Sequence, residues 1–203
     1  HLPYHILRID ENRVERMRIG FSGTFWGQEN TGSGQYVRRL VEALNRYTET
    51  ETVLFLPQYI NAVETGGTPS LTYSITTPLD RWHENLAKTW YEQIGYPRAC
   101  RERLVDVAHV PYFAPPLFPT ATTVVTIHDL IPLILPAYRG SGAVRLYMRL
   151  ASHAARHAAL VITDSQASGK DIKRLLDIPP ERLRIIPLAT DAAYRPLSPE
   201  ARD

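Results

Sequence analysis

The residues best suited to chemistry lie between Met17 and Tyr36 (MRIGFSGTFWGQENTGSGQY), where an apolar run opens into a loop that closes on Gly32-Ser33-Gly34. Small residues let a backbone approach a ligand closely. A helix opening at Ser33 would add unpaired N–H groups and the positive end of its dipole. That design suits a phosphate or another anion, a nucleotide first. The dinucleotide form is disfavoured, because Val37 stands where the third glycine of G-x-G-x-x-G belongs. Nor does an Asp or Glu close the next apolar run, Val53 to Leu56, which ends at Pro57. The same glycines also suit a plain strand-to-helix turn, and the residues alone leave both readings open.

Other chemistry-bearing residues follow apolar runs in the same way. His128 and Asp129 come directly after Thr123 to Ile127, where a polar pair would point into a crevice. Trp26 and Asn30 belong to the glycine loop, and Tyr112 and Phe113 to the stiff proline-rich stretch Pro111 to Pro119; all four are candidates to line a cleft. Ser165 is either a helix N-cap or a further polar contact there. His153 and His157 have the spacing of paired zinc ligands, but Ala154 stands where a metalloprotease has its glutamate and no third ligand follows, so no metal is expected. The His128-Asp129 pair lacks the further ligands of a metal phosphohydrolase, and no G-x-S-x-G elbow offers a serine nucleophile.

These residues need a frame to hold them. The chain alternates short runs rich in Val, Ile and Leu with amphipathic segments, the pattern of a parallel sheet covered on both faces. Strands are expected at Arg18–Ser22, Thr52–Leu56, Leu71–Ile75, Val105–Val110, Thr123–Ile127, Ala159–Thr163 and Arg184–Pro187. Helices are expected with core stripes Val37, Leu40, Val41, Leu44; Trp82, Leu86, Trp90, Ile94; Val144, Tyr147, Met148, Ala151; and Ile172, Leu175, Leu176. Ligands of such sheets sit beyond the carboxyl ends of the strands.

With 203 residues and 44% hydrophobic content the chain can bury one sizeable core. A single cysteine, Cys100, excludes an internal disulfide and a cysteine-built zinc site, and fits a reducing compartment. The net charge of +2 gives nucleic-acid binding no global support. Arg145, Arg149, Arg156, Lys170, Lys173 and Arg174 would give at most weak attraction to an anionic lipid surface. No apolar run has the length of a membrane span, and no signal-peptide pattern opens the chain. Residues 1–16 read as an upstream segment, and 197–203 as the start of a linker.

An ordered series of landmarks resembles the N-terminal half of the retaining glycosyltransferases of family 4, which have the two-domain GT-B architecture. The series comprises MRIGFSG; Thr31-Gly-Ser-Gly34; Val110-Pro-Tyr-Phe; Val125-Thr-Ile-His-Asp-Leu-Ile-Pro132; Val161-Ile-Thr-Asp-Ser165; Arg184-Ile-Ile-Pro-Leu-Ala-Thr-Asp191; and Tyr194-Arg-Pro196. Ala189-Thr190 departs from the family's usual Gly-Val. The resemblance implies an α/β Rossmann-like parallel sheet of about seven strands over residues 17–196, with helices on both faces. It also implies transfer of a sugar from a nucleotide-sugar donor to a sugar, lipid-linked or polysaccharide acceptor, without cofactor or metal, in the cytoplasm or at the inner face of the membrane.

By the same resemblance Gly32, Ser33 and Gly34 would approach the donor diphosphate and His128 would contact the transferred sugar. Trp26, Asn30, Tyr112, Phe113, Asp129 and Ser165 would line the cleft. The family's paired glutamates and basic pair lie in a C-terminal domain, so Glu84 and Glu92, which share that eight-residue spacing, are read as solvated or decoy carboxylates. A non-catalytic binding module and half of a GT-B sugar-nucleotide epimerase are the alternatives.

Overall fold

The computed structural model describes residues 16–60, 69–78, 84–135, 137 and 140–190. Seven strands form one sheet in the order β3-β2-β1-β4-β5-β6-β7, and every neighbouring pair is parallel. They are β1 (Met17–Ser22), β2 (Thr50–Pro57), β3 (Leu71–Ile75), β4 (Val107–Val110), β5 (Thr122–Thr126), β6 (Leu160–Thr163) and β7 (Leu183–Ile185). This is the expected α/β Rossmann-like sheet, with all seven strands within a few residues of their expected positions. The winding direction reverses between β1 and β4, so the crevice beyond their carboxyl ends is the natural place for a ligand.

Burial on both faces explains the apolar runs. In β2, Val53, Leu54, Phe55 and Leu56 are all buried and alternate between faces. Leu54 and Leu56 join Ile19, Phe21 and the buried side of α1 (Gly32–Leu44), Val37 and Val41. Val53 and Phe55 join the opposite core with Tyr91, Tyr96 and, further along the sheet, Val125, Val161, Ile172 and Leu176. The short α4 (Ile131–Ile134) follows β5, α5 (Gly142–His157) precedes β6, and α6 (Gln166–Leu176) follows it.

One helical stripe differs from expectation. The segment Glu84–Glu102 is α2 (Glu84–Trp90), a π-helical turn Tyr91–Gly95, and α3 (Tyr96–Glu102). Its buried side is Ala87, Tyr91, Glu92, Gly95, Tyr96, Pro97 and Cys100, while Leu86 and Ile94 stand 54% and 50% exposed. The buried stripe already runs one residue after the expected one in α2, through Ala87 and not Leu86, and the π turn then inserts an extra residue between Tyr91 and Tyr96. Tyrosine hydroxyls explain the choice: Tyr91 donates to the Phe55 carbonyl at 2.6 Å and Tyr96 to the Gly20 carbonyl at 2.9 Å. Trp82 lies outside the described residues, as do residues 1–15, 197–203 and the landmarks Asp191 and Tyr194 to Pro196.

Candidate active site

His128 lies two residues beyond the end of β5 and Asp164 one residue beyond β6, and neighbouring parallel strands therefore bring them together. The His128 Nδ1–H donates to Asp164 Oδ2 at 2.8 Å, since a carboxylate can only accept. In the neutral ring that bond fixes the tautomer and leaves Nε2 as a hydrogen-bond acceptor. Nε2 is buried and has no hydrogen-bond partner among the described residues. The Ser168 hydroxyl clamps the backbone by donating to the His128 carbonyl at 2.6 Å.

The other side of the imidazole is held from α1. Tyr36 stands edge-on to His128, and its hydroxyl shares a 3.1 Å bond with Thr126 Oγ1. Burial, with Asp164 adding to it, pushes the Tyr36 phenol up and keeps it protonated. Thr126 also bonds His109 Nε2 at 2.9 Å. Burial drives His109 down to about 4, so it is a neutral ring within the sheet.

Thr31 caps α1 by accepting from the Gly34 N–H at 3.1 Å. A side-chain carbon at Gly34 would sit 2.0 Å from the Gln28 carbonyl oxygen, so this glycine is required by the loop's own backbone. Its N–H is therefore not available to a ligand. Gly32 has open space where a side chain would be and is exposed, and the first-turn N–H groups of Gly32 and Ser33 have no intrahelical acceptor.

Next to this loop a cleft of about 520 Å³ lies between Phe25 and Gln28 on one side, Tyr59 and Ile60 beyond β2, and Asn85 and Lys88 of α2. Below it, Tyr112 bonds Ser22 Oγ at 3.1 Å and Thr24 Oγ1 at 2.9 Å. Glu92 lies there too, with its side chain fully buried and its Oε2 accepting from the Tyr147 hydroxyl at 2.9 Å. Burial raises the Glu92 carboxyl above the usual carboxylate range. Of the two expectations for Glu92, burial rules out the solvated one, whereas Glu84 is exposed at the cleft rim.

The remaining expected residues divide. Trp26 is core instead of cleft: only 4% exposed, it packs with Phe21 and Val37, and Arg38 lies over its ring. Asn30 is exposed in the glycine loop, and Phe113 is half-buried against the core. Tyr112 is buried with its edge to Phe25. Asp129, just before α4, is exposed and accepts from the Ile131 N–H at 2.9 Å. Ser165 is the N-cap of α6, accepting from the Ser168 N–H at 3.1 Å. Sequence reasoning did not assign site roles to Asp164, Tyr36, Thr126, His109 or Lys88. Of these only Asp164 carried a signal, a carboxylate at a strand end.

No group of three or more metal-ligating side chains occurs among the described residues. None of the helices there is long and apolar enough to cross a membrane. Residues 30–194 match the family model described as Glycosyltransferase Family 4. No curated protein matches the chain.

Proposed function

Because the chain belongs to glycosyltransferase family 4, we propose that it is the acceptor-side domain of an enzyme that moves a sugar from a nucleotide-activated donor, with retention at the anomeric carbon. The observation that carries this reading is the juxtaposition of an oriented imidazole with an open helix start. His128, fixed by Asp164, and α1, joined to it by Tyr36, meet at one carboxyl edge of the sheet.

In this reading Gly32 and Ser33 face the departing diphosphate. Negative charge builds on that group as the glycosidic bond breaks, and fixed N–H dipoles stabilise it without reorganising. Gly34 serves them indirectly by letting the loop close on itself. His128 meets the transferred sugar. An unpaired buried nitrogen costs about 1–3 kcal/mol, which a sugar hydroxyl reaching Nε2 would offset once the surroundings yield to admit it.

A C-terminal domain of the same protein would supply the second wall, with the paired glutamates and the cations that grip the nucleotide. Positioning between two walls can be worth ~7–11 kcal/mol of a barrier, so the 203-residue chain by itself should bind donor poorly and transfer nothing. No cofactor is required. Cytoplasmic placement with weak attraction to the membrane's inner face fits the basic residues, several of which are engaged locally: Arg145 with the Gly140 carbonyl, Arg156 with the Leu176 carbonyl, Arg174 with Asp171. Salt-dependent sedimentation with anionic liposomes checks the last point, and a nucleotide-sugar panel with product mass analysis checks the first.

A further inference from the structure

The cleft beside the glycine loop has a built interior that the donor reading does not use. Lys88 reaches it from α2 with its ammonium 5.9 Å from the Phe25 ring centre and 6.0 Å from that of Tyr147. Glu92, one turn later, places Oε1 3.7 Å from the same nitrogen. That oxygen is buried and has no hydrogen-bond partner among the described residues. A carboxylate sealed under a tyrosine is expensive. The residue sits in a π turn, a distortion frequent at functional positions.

We propose that this cleft is a subsite for a neutral sugar ring, with Lys88 donating to ring hydroxyls and Glu92 acting as the positioning residue that holds Lys88. The transferase reading enters only in calling that ring part of the acceptor. The volume of about 520 Å³ lies within the roughly 300–1,000 Å³ of small-molecule sites. Phe25 and Tyr59 supply apolar faces for the C–H side of a ring. Gln28 and Asn85 carry amides that both donate and accept, as hydroxyls require. Charge excludes the main competitor. A phosphate site gathers cations, whereas here the positive charge of Lys88 is opposed by Glu92 behind it and Glu84 on the rim. An anionic lipid headgroup is disfavoured for the same reason.

Saturation-transfer NMR on the chain, with glucose, galactose, mannose, maltose and cellobiose as probes and inorganic phosphate as the competitor, tests the assignment. At least one sugar should bind and phosphate should not displace it. Lys88→Met and Glu92→Gln should each weaken binding by about tenfold or more, the worth of a hydrogen bond to a charged group. Glu92→Gln should do so with an undiminished melting temperature, which a merely structural carboxylate would not give. Absence of binding by every sugar, preference for phosphate, or unchanged affinity in Lys88→Met overturns the subsite; unchanged affinity in Glu92→Gln overturns the role of Glu92. Should Glu92→Gln fail to fold, Lys88→Met alone decides. If no sugar binds while donor turnover by the intact enzyme is measurable, the subsite falls and the transferase reading stands. Sugar binding without turnover of any nucleotide sugar gives the reverse.

Discussion

The ring of Tyr36 stands edge-on to that of His128, with 4.8 Å between centres and 85° between planes. A residue in the second turn of α1 thereby sets the imidazole at the end of β5. Edge-to-face pairs are worth about 0.5–1.5 kcal/mol beyond burial. Tyr36→Ala should lower turnover about tenfold by releasing the imidazole. Tyr36→Phe keeps the ring and loses only the Thr126 bond, so its loss should stay within about threefold. Steady-state kinetics on both variants check the ordering.

His128 and Asp164 share a hydrogen bond, and the proposed role makes them a unit. His128→Ala should reduce turnover at least tenfold, and removal of one well-placed transition-state contact costs typically ~10²-fold or more. Asp164→Asn should produce a loss of similar direction, because the amide also offers an N–H toward Nδ1 and favours the other tautomer. The double variant should be little worse than His128→Ala, the non-additivity expected of contacting residues. Additive losses would mean that Asp164 works elsewhere.

Gly34 and Gly32 should separate under substitution. An alanine carbon at Gly34 meets the Gln28 backbone at 2.0 Å, so Gly34→Ala should cost about 1–3 kcal/mol by overpacking. Gly32→Ala meets nothing, and any loss there should appear in donor binding instead of stability. Denaturant titration of the two variants provides the comparison.

His109 sets an acid limit on the fold. Its ring is held near 4 when buried, against 6.5 when free, so the unfolded chain binds the extra proton between those values. Stability from this group is therefore present above pH 6.5 and lost as the pH falls toward 4, by up to about 3 kcal/mol. His109→Gln should flatten that decline, measured as unfolding free energy against pH.

The alternation of Val-rich runs with amphipathic stretches was enough to place all seven strands, because strands buried on both faces must be apolar throughout. His128 was legible as a candidate for the same reason, as the first polar residue after such a run. Its partners were not. Tyr36 and Asp164 are distant in sequence and converge only through strand adjacency, and Tyr36 reads as an ordinary helix residue. Glu92 was misread because the buried stripe runs through Ala87 and Tyr91, one residue after the expected Leu86 and Trp90, and the π turn broadens it at Glu92 in a way no simple periodicity announces. Trp26 was placed in the cleft by its loop position, although a large ring in a loop that folds back over α1 gains more by burial in the core.

The central claim is sugar transfer dependent on the imidazole at the end of β5. Its most direct test incubates the intact enzyme that carries this chain with a panel of nucleotide sugars and sugar acceptors, wild type beside His128→Ala, and reads the products by mass and by the anomeric proton signals. The account predicts an acceptor heavier by one sugar residue, of the same anomeric configuration as the donor, and at least tenfold less of it from His128→Ala. Transfer that proceeds equally well in His128→Ala, or with inverted configuration, would contradict it.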